Sequence, residues 1–127
     1  MDFQFRNRYN GIMSTKSTDV TLVRAILIEL QTGLNALYGK TAPKIILYGS
    51  YARGEAEVDS DIDVLLIYAH EIRPGEEIRK VSPVLAELNL RHQVLISVLP
   101  TSQERYHNDP GVFWKNVRRE GQPTSAS

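Results

Sequence analysis

Cysteine is absent from the 127 residues, which excludes disulfides, thiolate nucleophiles and cysteine-based zinc sites and fits a reducing compartment. Also lacking is a surplus of charge. Fifteen basic and 15 acidic residues give a formal net charge of zero, so general nucleic-acid binding through a basic field is not expected. No uninterrupted apolar run approaches the ~20 residues that span a bilayer. Met1–Arg6 lacks the apolar stretch of a signal peptide. Internal repeats and low-complexity tracts are missing as well. The reading is one cytoplasmic domain without a membrane partner, and hydrophobic content of 42% with 24% charged residues is ordinary for such a domain.

What is present concentrates between two short apolar runs, Ile45–Tyr48 and Val64–Tyr68. Both read as buried strands. Gly49 and Ser50 leave the first run, and Asp61 and Asp63 enter the second. Gly49 lets a backbone approach a phosphate closely, and Ser50 adds a hydroxyl donor beside main-chain N–H groups. On a strand, residues two apart point to one face, so the carboxylates of Asp61 and Asp63 converge. Hard oxygen ligands in that number suit Mg²⁺, which leaves the rest of its shell to water and substrate phosphates.

Two other motifs overlap the same residues, and both fail. Gly49 to Gly54 fits the opening of a P-loop, but Glu55 and Ala56 stand where Lys and Ser/Thr are required. Asp59, Asp61 and Asp63 mimic the start of an EF-hand loop. That loop needs Gly sixth and Glu twelfth, where Val64 and His70 stand.

Gly-Ser, ten residues, then Asp-x-Asp resembles the signature of the nucleotidyltransferase superfamily that includes DNA polymerase β. Gly49-Ser50-Tyr51-Ala52-Arg53-Gly54-Glu55 followed by Asp59-Ser60-Asp61-Ile62-Asp63-Val64-Leu65-Leu66 is similar to the minimal nucleotidyltransferases, often the antitoxin partners of HEPN-domain toxins. The resemblance implies an α/β nucleotidyltransferase fold, a small mixed sheet backed by helices. It implies catalytic and metal-binding roles for Asp61 and Asp63, with Mg²⁺ or Mn²⁺ as the ion. Gly49, Ser50 and Arg53 are the implied nucleotide-binding residues, ATP the implied donor, and a tyrosine of a HEPN toxin the implied acceptor. In this superfamily the next strand generally supplies a third acid. Here that strand, Val94–Leu99, holds none; Ser97 is the first candidate for the corresponding position and Gln93 the second.

That departure keeps two further readings open: a docking module with a weakened site, and a small-molecule nucleotidyltransferase of the antibiotic-modifying type. Among single residues, Arg53 has an ion pair with Glu55 or Glu57 as its alternative role. Tyr51 has packing on the first helix, and Phe113, Trp114 and Val117 have core packing. His70, His92 and His107 share no ligand spacing and read as surface or core histidines, His92 being the one whose position before the third strand would let it face the site.

Along the chain, residues 1–17 are a polar extension, 18–121 the nucleotidyltransferase domain and 122–127 a tail. Ser17, Thr18 or Asp19 can cap a helix that runs to about Tyr38 with Val23, Ile26, Leu27, Leu30, Leu34 and Leu37 on one face. Pro74 opens a second helix, which Pro83 either kinks or divides. Thr101-Ser102-Gln103-Glu104 reads as a capping box, and Val112 starts the last helix.

Overall fold

Apolar residues at helical spacing build the first layer. In the computed structural model, which describes residues 20–57 and 59–123, helix α1 (Val20–Tyr38) buries Val23, Ile26, Leu27, Leu30 and Leu34. Leu37 shares that spacing but is 46% exposed. The capping residues proposed for this helix lie outside the described residues. By length and composition Val20–Thr41 would also pass for a membrane span; three fully buried side chains, Ile26, Leu30 and Leu34, make it a core helix instead. Gly39 takes a positive φ of 66° and begins a 3-10 turn, Gly39–Thr41.

Strand β1 (Lys44–Tyr48) follows, then a single helical turn, α2 (Ser50–Arg53), and strand β2 (Ile62–Tyr68). Helix α3 (Pro74–His92) crosses back to strand β3 (Ile96–Ser102), which lies parallel to β2. Helices α4 (Gln103–Asn108) and α5 (Val112–Glu120) lead to a two-residue strand, β4 (Gln122–Pro123). The mixed sheet has the order β3-β2-β1-β4, with β1 antiparallel to both of its neighbours.

Alternation along the strands divides the core. Ile45, Leu47, Ile62, Val64, Leu66 and Tyr68 pack with α1 and α3, while Leu65 and Ile67 pack with Trp114 and Val117 of α5. By the same alternation Asp63 belongs to the α5 face. Trp114 and Val117 are thus core residues, whereas Phe113 is 43% exposed.

Of the two alternatives at Pro83 the structure excludes division: helix α3 continues through it. The structure departs from the sequence reading at three places in the chain. Strand β3 starts later than Val94 because Gln93 takes a left-handed φ of 55° as the cap of α3, and it runs past Leu99 to Ser102. Pro100 does not stop β3, since a strand at the sheet's edge leaves one side of its backbone unpaired. Ser102, one residue beyond the expected Thr101, caps α4 by accepting the Arg105 amide at 3.1 Å. Gln122 and Pro123, read as the start of a tail, pair with Leu47 and Ile46.

Candidate functional site

The site forms where β1 ends and β2 begins. Antiparallel pairing sets Tyr48 opposite Asp63, and parallel pairing sets Ser97 opposite Asp63 on the other side. Tyr48, Asp63 and Ser97 therefore form one row across three adjacent strands. Asp61 lies just before β2, exposed, and Asp63 is half-buried. The Ile62 amide donates to the Leu95 carbonyl at 2.9 Å, which fixes the backbone between the two carboxylates.

Gly49 is constrained twice. Its φ of 78° and ψ of −154° belong to a region that side-chain-bearing residues avoid. A Cβ added there would stand 2.6 Å from Oδ2 of Asp63. The bare backbone thus lets the Asp63 carboxylate sit against the turn that carries Ser50. After Gly49 the chain closes one helical turn, with the Arg53 amide donating to the Gly49 carbonyl at 3.1 Å and the Glu55 amide to Ser50 at 2.9 Å. Gly54, at φ 74°, ends the turn.

Electrostatics single out Asp63. Burial raises its pKa first, the neighbouring charge of Asp61 raises it further, and Arg53 partly offsets both. A half-buried carboxylate beside a second one is a place where a cation relieves a cost. Oxygen donors of this type fit a hard divalent ion, and Asp61 and Asp63 are the residues that would hold it. Among the described residues no cluster of three His, Cys, Asp or Glu side chains forms a fuller metal cage.

Arg53 makes the bland contact: its Nε lies 2.9 Å from Glu55, and Nη1 lies 3.5 Å from Glu120 of α5. It remains near enough for its charge to register at Asp63. Tyr51 is buried in the α1 core cluster, so it is no base-stacking platform. His92 does not face the site. It ends α3 and lies 3.2 Å from Glu29 of α1. Gln93, as the cap of α3, stands outside the row, which leaves Ser97 as the residue opposite Asp63.

Sequence reasoning missed three neighbours. Tyr48 stands in the Asp63 row, and its phenol is pushed up by burial and then by the Asp63 charge. Its position directly before Gly49 was the available signal. Glu120 and Gln122 reach α2 through a 3.5 Å ion pair and a 2.8 Å hydrogen bond. No local pattern announces contacts across 67 and 70 residues.

Comparison with known proteins agrees with this geometry. Residues 27–111 match the family model described as a nucleotidyltransferase domain, which spans both halves of the motif. A Methanocaldococcus jannaschii protein named putative protein adenylyltransferase MJ0604 is 33% identical over 95 residues, covering 73% of this chain and 88% of that protein. A crystal structure of a toxin-antitoxin with AMP-PNP superposes with a TM-score of 0.56 at 18% identity, covering 82% of this chain and 73% of the matched one. A Shewanella oneidensis complex of a tri-AMPylated HEPN toxin with its MNT antitoxin superposes at 0.50 and 17% identity, covering 86% and 74%. The chain belongs to the nucleotidyltransferase family and has the fold of its minimal members.

Proposed function

We propose that this nucleotidyltransferase moves AMP from ATP to a hydroxyl group, with a tyrosine of a HEPN-type toxin as acceptor, and that it does so in the cytoplasm. One observation carries the reading: the Asp63 carboxylate sits directly against the glycine turn, 2.6 Å from where a Cβ of Gly49 would stand, with the Asp61 charge near enough to act on it. Asp61 and Asp63 would hold Mg²⁺ or Mn²⁺, which would supply positive charge to offset the negative charge developing on the departing pyrophosphate. Gly49 and Ser50 would seat the β- and γ-phosphates, with Arg53 beside them. The acceptor oxygen forms a bond to the α-phosphorus as the bond to pyrophosphate breaks, and its proton passes to solvent.

Ser97 bears on the acceptor's class. A hydroxyl opposite Asp63 accepts no proton at neutral pH, so the acceptor ionises without help from that position. A phenol, with an ordinary pKa near ~10, does so far more readily than an alcohol. Support for a toxin tyrosine comes from this point and from the AMPylated toxin in the Shewanella complex. The same serine favours a second reading, a docking module that binds metal-nucleotide but transfers it slowly.

Two measurements test the proposal together: the shift in melting temperature with Mg-ATP, and transfer of label from α-labelled ATP to the product of an adjacent HEPN reading frame. A shift with transfer supports the enzyme. A shift without transfer supports the docking module, and no shift at millimolar Mg-ATP removes both.

A further inference from the structure

We propose that the C-terminal segment Glu120–Pro123 sets nucleotide affinity from outside the motif: Gln122 positions the turn bearing Ser50 and Arg53, and Glu120 holds the Arg53 guanidinium back from the triphosphate. This deepens the nucleotide reading above and rests on it.

The segment is locked to the sheet next to the site. Gln122 pairs with Leu47 and Pro123 with Ile46, so the segment runs along β1 immediately before Gly49. Gly121 makes that approach possible, because a Cβ there would stand 2.6 Å from Cγ2 of Ile46 and 2.7 Å from the Val117 carbonyl. From this fixed backbone the Gln122 side chain donates through Nε2 to the Ala52 carbonyl at 2.8 Å. Ala52 lies in α2, a single turn with one buried side chain, Tyr51. A single helical turn leaves its last carbonyls without intrahelical partners, and Gln122 supplies one for Ala52. The family model matches residues 27–111, so this support comes from outside the matched residues.

Glu120 acts on the same turn with the opposite sign. It lies 3.5 Å from Nη1 of Arg53, while Glu55 holds Nε at 2.9 Å. Both partners are carboxylates, the charge type that a triphosphate would replace. Each carboxylate next to Arg53 competes for its donors and adds negative potential where more negative charge must bind. Neighbouring residues on one segment thus push nucleotide affinity in opposite directions. A merely structural segment would push it in one.

The test measures AMP-PNP binding with Mg²⁺ by calorimetry on the full chain, alongside amide hydrogen exchange without nucleotide. Gln122→Met keeps the side chain's length and the backbone pairing while removing the donor. It should weaken binding about fivefold, the effect of one net hydrogen bond, and speed exchange at Arg53, Gly54 and Glu55. Glu120→Gln should tighten binding about two- to fivefold at low ionic strength, and salt should erase the gain. Exchange in α1 and α3 should match the parent in both variants. Unchanged affinity and exchange in Gln122→Met overturns the positioning role, and weaker binding in Glu120→Gln overturns the competing one. If the parent itself binds no AMP-PNP, the nucleotide reading fails first, and that result is visible before any variant is compared.

Discussion

Asp63 of β2 and Ser97 of β3 are direct partners in parallel register, side by side on the face that also carries Tyr48. A carboxylate thus faces a hydroxyl at the position where a further acid would complete a three-acid cluster. Asp63 and Ser97 share one row of the sheet, with Asp61 just before β2.

Asp61→Asn with Asp63→Asn should abolish the Mg-ATP-dependent rise in melting temperature, because a ligand stabilises only through the folded state that binds it. Without metal the double variant should melt at or above the parent, since two neighbouring carboxylates repel when no cation stands between them. A lower melting temperature in the apo variant would make these residues structural.

The same carboxylate predicts a pH trend. Burial and Asp61 hold the pKa of folded Asp63 above its ordinary value. The folded state therefore keeps this proton when the unfolded chain has lost it, and the stability linked to Asp63 falls as pH rises from the ordinary carboxyl pKa through the raised one. Asp63→Asn should remove that dependence. Its stability advantage over the parent should be largest above the raised pKa and vanish in acid. An advantage that grows on acidification contradicts the assignment, and denaturant melts across the pH range decide it.

Gly49→Ala combines a disfavoured φ with a Cβ placed 2.6 Å from the Asp63 carboxylate. A loss of about 1–3 kcal/mol is expected from backbone strain alone. Metal-nucleotide binding should fall with it, because the collision moves the side chain that would hold the ion. Urea titration measures the first effect and calorimetry the second.

A control lies at the other end of β2. There the Tyr38 hydroxyl donates to buried Glu77 at 2.7 Å and meets the Tyr68 hydroxyl at 3.0 Å. Tyr38→Phe leaves the Glu77 carboxylate short of a donor and should cost about 1–3 kcal/mol. Nucleotide affinity in the folded variant should stay at the parent value, since Tyr68 and Asp63 stand at opposite ends of the strand.

Much of this was legible in the sequence because the informative interactions are local. Gly49, Ser50, Asp61 and Asp63 lie within one strand-turn-strand unit, and α1 announces itself by spacing. The sequence left Pro83 open between a kink and a division because the deciding force is tertiary: packing carries α3 past a residue that would stop an isolated helix, and Val81 and Leu88 on either side of it are both buried. The start of β3 was set too early for a related reason. Gln93 takes a left-handed conformation that moves the strand's start to Ile96, and nothing in the local pattern marks that cap. Gln122 was invisible because its two partners, Leu47 and Ala52, are some 70 residues earlier.

The sharpest expectation concerns the serine itself. Ser97→Asp would set a third carboxylate beside Asp63 in the same row. With metal and ATP present it should increase transfer to a hydroxyl acceptor, since a positioned base contributes typically ~10²–10⁴-fold. The gain should be larger for an aliphatic alcohol than for a phenol, which ionises more readily unaided. Without metal the variant should be less stable than the parent, because the new charge enters a half-buried row that already holds one carboxylate. Metal should restore the lost stability, and Ser97→Asn should show neither the gain nor the penalty. The contrary result is equally readable. If the parent already transfers briskly and Ser97→Asp melts lower with and without metal, then position 97 is no seat for a base, and the proton leaves through the acceptor's own surroundings.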